Sequence, residues 1–459
     1  MGNTDSVVVQ KRLARFRPEE RPLVEGVFGR LHGDGASGKA LTLEMFKSSM
    51  DNLASDSMIR RVYRAACCVE AEAGAGAVSG SGKANTAATS GVSREQLVIF
   101  LADVLRGTAE ERAPVVLAMS QEGAGSSEIV TREQVSQFLQ DILSAVVQIL
   151  VHRGRLQGWK LDRMGDLAMG VKLLAEQMCS ELKVSEQGTC DLGCLEDWVF
   201  RVSQVSAYLE LLVSEGLGVV LSNRPPVTLL PPCLETPWSK LKCLLDLPTL
   251  MFLAPQLPDG YSAPWRLLFS THLHGESFSR MVAGLARQGP TLLLIRDTRG
   301  HVFGAFASHA WEMKPQFQGD SRCFLFTVNP RLRVYTATGY NQHFMYLNQN
   351  QQTMPNGLGM GGQHGYWGLW LDSDFGCGHS RARPKCTTYG SPQLSGDEEF
   401  TLDHVEVWAV GKPTPPEEGE EGRGKRSVLD MDPEVQAIME MTGKTLHSQG
   451  LREPEEDQD

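Results

Sequence analysis

Residues 265–281 read WRLLFSTHLHGESFSRM, and the chain goes on through LLLIRDTRGHVFGAFAS (292–308), CFLFTVNP (323–330), GGQHGYWGLWLD (361–372) and FTLDHVEVWAV (400–410). Phe278, Met281, Val282 and Leu285 recur at helical spacing, and Gly289-Pro290 stops that helix. Two apolar runs, 291–296 and 301–307, flank Asp297-Thr298-Arg299-Gly300 and read as a hairpin. Further strands are expected at 323–328, 333–338, 366–371 and 401–410. Short strands separated by turn residues predict a two-sheet antiparallel β-sandwich with flanking helices.

The preceding region reads differently. Residues 23–222 are expected to form a helical domain. VSREQLVIFLADVL (92–105) aligns without gaps to VTREQVSQFLQDIL (130–143). Ser93 and Thr131 suit N-caps, and Gln96 and Gln134 follow three residues later, as a capping box requires. Leu97, Phe100, Leu101 and Leu105 share a helical face that Val135, Phe138, Leu139 and Leu143 repeat. Paired helix–loop–helix units of this kind are EF-hand-like. Framed as a calcium loop, 122–133 has Ala124, Ser126 and Ser127 at its third, fifth and sixth positions, and 33–44 begins on glycines. Neither offers enough oxygen ligands, so metal-free units are expected. The small-residue stretch 71–91 reads as a flexible insertion, and the proline-rich run at 223–243 as a linker to a C-terminal domain at 244–411.

The two ends carry their own signals. Met1-Gly2-Asn3-Thr4-Asp5-Ser6 fits the N-myristoylation pattern, with Gly2 as the acylated residue. One myristoyl chain binds membranes only marginally. Lys11, Arg12, Arg15, Arg17 and Arg21 supply a second, electrostatic attraction to an anionic leaflet, against Glu19 and Glu20. Segment 1–22 is therefore expected to be a peripheral membrane anchor. Residues 412–459 hold 6 Lys/Arg and 13 Asp/Glu, a balance of −7 within a total of −11. They read as an acidic disordered tail containing one short amphipathic helix, 432–446. Its stripe of Val435, Ile438, Met439 and Leu446 suits partner docking as well as packing on its own domain.

Several motifs fail on context. Net charge −11 argues against nucleic acid. No apolar run approaches the length of a membrane span. The ten cysteines form no CxxC pair and suit a reducing compartment. Gly33–Ala40 has alanine where a phosphate loop needs Ser or Thr. Gly357-x-Gly359-x-x-Gly362 matches the dinucleotide pattern, but no strand is expected before it and no helix after it. Cys377, His379 and Cys386 match no zinc spacing. No metal or cofactor is indicated.

The C-terminal motifs resemble the TLDc domain: W-x-LL-x-ST-x-x-x-G-x-S-F from Trp265, L-x-I-x-D-x-x-G-x-VFGAF from Leu293, FLF from Phe324, GG-x-x-G-x-x-G-L-W-L-D from Gly361, and the closing EVW from Glu406. The resemblance implies a β-sandwich that associates with the vacuolar proton-pumping ATPase or protects against oxidative stress, with no family-wide catalytic residue. The whole plan resembles the lysosomal, mTOR-associated members of the family. It implies a peripheral place on the lysosomal membrane, and mTOR pathway components as partners of a non-enzymatic adaptor. Two other functions compete. One is a protective redox enzyme using Cys377 or Cys386 beside Arg381, Arg383 and Lys385; the other is a calcium-responsive membrane switch.

Overall fold

The structure is a computed structural model that describes residues 7–33, 40–69, 91–121, 127–221 and 227–411. Gly2, the tail helix with Val435, Ile438, Met439 and Leu446, and the 71–91 insertion except Gly91 lie outside the described residues. Contacts divide the chain into two units: one of Met1–Gln157 and Asp166–Leu229, the other of Gly158–Gly165 and Leu230–Asp459.

The first unit is helical. Its elements are α1 (Val7–Leu13), α2 (Arg21–His32), α3 (Leu43–Met50), α4 (Asp56–Cys68), α5 (Arg94–Arg106), α6 (Ala109–Ser120), β1 (Ile129–Thr131), α7 (Arg132–His152), α8 (Leu167–Ser180), β2 (Thr189–Asp191), α9 (Leu192–Arg201) and α10 (Ser203–Gly216). The two expected capping boxes form at Ser93/Gln96 and Thr131/Gln134, and a third forms at Thr108/Glu111. At 21 residues, α7 is long and apolar enough to span a bilayer, contrary to the sequence expectation, but much of it is core: Phe138, Leu139, Val146 and Ile149 are among its buried residues.

The repeat extends further than the sequence displayed. Leu41 and Val92 bridge antiparallel, and β1 pairs with β2 through Val130 and Cys190. Each bridging residue directly precedes the N-cap of an outgoing helix, at Thr42, Ser93, Thr131 and Asp191. The unit thus contains, among the described residues, two pairs of EF-hand-like helix–loop–helix elements. The repeats at 92 and 130 pair with other loops rather than with each other.

The second unit contains β3 (Cys233–Leu234), α11 (Leu247–Leu253), β4 (Trp265–Ser270), α12 (Thr271–His274), α13 (Phe278–Leu285), β5 (Thr291–Asp297), β6 (Val302–Ala307), β7 (Lys314–Gln318), β8 (Phe324–Asn329), β9 (Arg333–Thr336), β10 (Met345–Asn348), β11 (Gly357–Gln363), β12 (Tyr366–Asp372), β13 (Cys377–His379) and β14 (Glu399–Ala409). One layer runs β7-β10-β11-β12-β13 and the other β5-β6-β8-β9 with β4. The long β14 belongs to both. Its start pairs with β13, its remainder lies against β5, and its end also meets β4. An irregularity between Leu402 and His404 falls where it passes from one layer to the other, the bend a bulge provides. Leu293, Ile295, Phe303 and Leu325 of one layer and Leu358, Met360, Leu369 and Leu371 of the other share a core with Phe278, Met281 and Leu285 of α13.

Two corrections follow. The parallel β3–β4 pair departs from a purely antiparallel sheet, and it makes the end of the expected 223–243 linker part of the folded unit. Residues 357–363, absent from the strands expected from sequence, form strand β11. A Cβ on Gly359 would stand 2.5 Å from the Trp367 ring, and one on Gly357 would stand 2.4 Å from Trp370. Those two rings stack 4.9 Å apart across the strand. Two glycines of the apparent dinucleotide motif, Gly357 and Gly359, thus seat tryptophans, while the third, Gly362, has a positive φ and faces the Tyr366 carbonyl.

Candidate functional site

Three constellations bear on function: the N-terminal basic residues, the EF-hand-like loops, and a buried polar array behind the EVW motif.

The structure divides the five basic residues. Lys11 and Arg17 are exposed. Arg12 and Arg15 turn inward, whereas the sequence reading placed them on a membrane-facing surface. Arg12 Nε lies 2.7 Å from Asp103 Oδ1, and both arginines also bind Glu111. Arg21 is half-buried and donates to the Phe16 carbonyl at 3.2 Å. Val9, Leu13 and Phe16 are buried along the same segment. Hydrogen bonding from Arg15 holds the Glu111 carboxyl down at about 2. Burial pushes Asp103 up to about 6 against the pull of Arg12. That carboxylate depends on a nearby cation to stay charged.

The bridges fix the loop frames and shift them by one residue. With Val130 and Leu41 as the eighth residues, the twelfth are Gln134 and Met45, not Glu133 and Glu44. The other two loops place Gln96 and Cys194 there. A calcium loop needs a bidentate glutamate at that position. Here Gln96 and Gln134 instead accept from the N-cap backbone at 3.0 and 2.9 Å. Calcium at millimolar concentration is therefore expected to leave the melting temperature of the whole chain within about 1 °C of its value in chelator. A micromolar site would add about 4 kcal/mol and raise it by several degrees.

In the second unit, Glu406 is 0% exposed and accepts four hydrogen bonds. Its Oε1 receives Leu244 N at 2.8 Å and His404 Nε2 at 3.1 Å; its Oε2 receives Trp408 Nε1 at 3.0 Å and Cys243 Sγ at 3.2 Å. His404 Nδ1 lies 2.8 Å from Thr271 Oγ1, which accepts from Val405 N at 3.2 Å. Hydroxyl, imidazole and carboxylate are in the order of a hydrolytic triad. Yet Thr271 is 8% exposed and the other two 0%, and the hydroxyl is already engaged by backbone. This array cannot receive a substrate. It ties 243–245 and α12 onto β14, and nothing in the amino-acid sequence beyond the EVW motif itself points to it.

The cysteines are equally unsuited to attack. Every thiol is shifted upward: Cys179 to about 12, Cys190 and Cys233 to about 11, chiefly by burial. Cys377 is exposed, but partial burial and then Asp372 and Glu399 raise it; burial raises Cys386. Arg381 and Arg383 are held by Glu399 and Glu398. A reactive cysteine needs the opposite setting. Among the described residues, Cys377, His379 and Cys386 form no metal-binding group.

Comparison with known proteins agrees with this layout. The TLDc domain profile matches residues 239–411. The zebrafish protein named MTOR-associated protein MEAK7 is 63% identical over all of this chain and all of its own length. The human protein of that name is 39% identical, again over both full lengths. Human nuclear receptor coactivator 7 is 36% identical over 34% of this chain and 16% of its own. The last likeness is confined to one part of the chain, whereas the first two include the helical unit. The chain belongs to the TLDc-domain family, among the relatives that carry the MEAK7 name.

Proposed function

We propose that this protein is a non-enzymatic, lipid-anchored adaptor that associates with mTOR pathway components at the lysosomal membrane and contacts the vacuolar proton-pumping ATPase. The observation that carries the reading is likeness over the full chain to proteins whose name states an mTOR association. The raised thiols and the closed Thr271–His404–Glu406 array weigh against the redox enzyme. The residues at the twelfth loop positions weigh against the calcium switch. Gly2 is the acylated residue in this reading, Lys11 and Arg17 face the leaflet, and Val435, Ile438, Met439 and Leu446 form the docking stripe.

The test is purification of the tagged full-length protein from gently solubilised lysosomal membranes, with mass spectrometry of the co-purifying proteins. Pump subunits and mTOR components in stoichiometric amounts are expected. They should fall at least tenfold with Gly2→Ala, because stable anchoring takes two signals and the variant keeps only the basic patch. Recovery of folded protein with neither partner would end the adaptor reading. An unchanged membrane fraction in Gly2→Ala would end the lipid anchor.

A further inference from the structure

The first helix is held by the charges that an anionic membrane would attract. Arg12 in α1 and Arg15 just beyond it both reach Glu111, and Arg12 reaches Asp103. Val9, Leu13 and Phe16 are 2%, 8% and 2% exposed, and the Arg106 guanidinium lies 6.0 Å from the Phe16 ring. As docked, this segment offers a bilayer Lys11 and Arg17 but neither its apolar face nor its other two arginines.

The receiving carboxylates are set in place independently of α1. Glu111 accepts from Thr108 N at 3.0 Å as the third residue of the α6 capping box. Asp103 sits on α5, 6% exposed, among that helix's buried residues. A carboxylate in such a position is costly without a cation, and the same holds for an arginine lifted from its carboxylate into an apolar setting. Undocking in plain solution therefore leaves two acids uncompensated and three apolar side chains wet. At an anionic surface the balance changes. Lipid headgroups take the arginines, and the interface takes Val9, Leu13 and Phe16, as it does the apolar face of any interfacial helix.

We propose that α1 is a detachable clamp that an anionic lipid surface pulls from Asp103 and Glu111 by competing for Arg12 and Arg15. The clamp rests on the membrane reading above and adds to it a closed state in solution and an open state on the bilayer. Opening also uncovers the groove that α1 fills, with Asp103 and Glu111 exposed along it. Membrane arrival thus changes the surface of the helical unit as well as its location.

The experiment uses the acylated full-length chain and phosphatidylcholine vesicles with and without phosphatidylserine. Asp103→Asn with Glu111→Gln removes the competing charges while keeping side-chain shape, and glutamine still closes the Thr108 capping box. A charge-matched control, Glu186→Gln with Glu196→Gln, neutralises two exposed acids elsewhere. The clamp variant is expected to partition onto phosphatidylserine vesicles about tenfold more strongly than the control, and adding Arg12→Gln and Arg15→Gln should cancel the gain. A fluorinated phenylalanine at position 16, buried when α1 is docked, should be broadened by nitroxide-labelled lipids on vesicle binding while the amides of α5 stay protected, which separates release from unfolding. Equal partition of clamp variant and control, or bound protein whose position-16 ring stays out of reach of the labelled lipids, would overturn the clamp alone. Acylated wild-type protein that ignores phosphatidylserine vesicles would remove the clamp and the anchor together.

Discussion

Trp159→Ala is expected to destabilise the second unit by about 3–5 kcal/mol, a loss of roughly 10 °C in its melting temperature. The residue comes from the short segment Gly158–Gly165, which follows the helix α7 of the first unit in sequence yet belongs to the second. Trp159 is 1% exposed. Its ring centroid lies 5.3 Å from Trp408, 5.9 Å from Trp265 and 5.8 Å from Trp238. Its Nε1–H donates to the Pro231 carbonyl at 2.8 Å. Alanine would delete the ring on which both terminal TLDc tryptophans rest and would orphan that carbonyl. Trp159→Phe should cost less, because it keeps most of the packing and loses only the donor. The measurement is thermal unfolding of the full chain followed by near-ultraviolet circular dichroism, with amide exchange to locate the loss in β4 and β14. A variant that melts within 2 or 3 °C of wild type, on the order of a surface substitution, would show that the four tryptophans are not one cooperative core.

That segment shows where the chain was legible and where it was not. Strands β5, β6, β8, β9, β12 and β14 lie within a few residues of their sequence-based positions, and α13 begins at the predicted Phe278. These elements carry apolar runs bounded by turn residues, a local signal. The capping boxes at Ser93 and Thr131 were legible for the same reason. What was missed depends on partners distant in sequence. β11 alternates glycine with apolar residues because Trp367 and Trp370 of β12 occupy its outer face, so its own composition reads as loop. The one-residue error in the loop frames arose because the bridge partners Leu41 and Cys190 do not repeat the VxREQ motif. Trp159 sits in a short connection whose neighbours, GWKLD, give no hint of a shared core. The same limit applies to Arg12 and Arg15. A basic run beside an acylation motif reads as a membrane patch, and only tertiary structure supplies the acids at 103 and 111 that compete for it.

Glu406→Gln is expected to cost about 2–4 kcal/mol although it changes neither size nor shape. The carboxylate accepts two donors on each oxygen, and glutamine can accept on only one side. In one orientation its amide N–H groups face Leu244 N–H and His404 Nε2–H; in the other they face Trp408 Nε1–H and Cys243 S–H. Either way at least one buried N–H meets a donor, since only His404 can become an acceptor there by changing tautomer, and each unsatisfied group costs about 1–3 kcal/mol. Relaxation of the 243–245 segment relieves part of that, because its attachment to β14 runs through this carboxylate. The observable is a fall of about 5–10 °C in the melting temperature of the full chain, with loss of amide protection at Leu244. Glu406→Ala should be worse, since all four donors lose their acceptor and a cavity opens in a region where Trp408 and Val407 are 0% exposed. The pair of variants separates a structural carboxylate from a chemical one. A catalytic glutamate could be replaced by glutamine with the fold intact. If Glu406→Gln melts as wild type does, with Leu244 still protected, the four hydrogen bonds are not what fastens 243–245 to the sheet, and the hydroxyl–imidazole–carboxylate order of Thr271, His404 and Glu406 has to be reconsidered as chemistry.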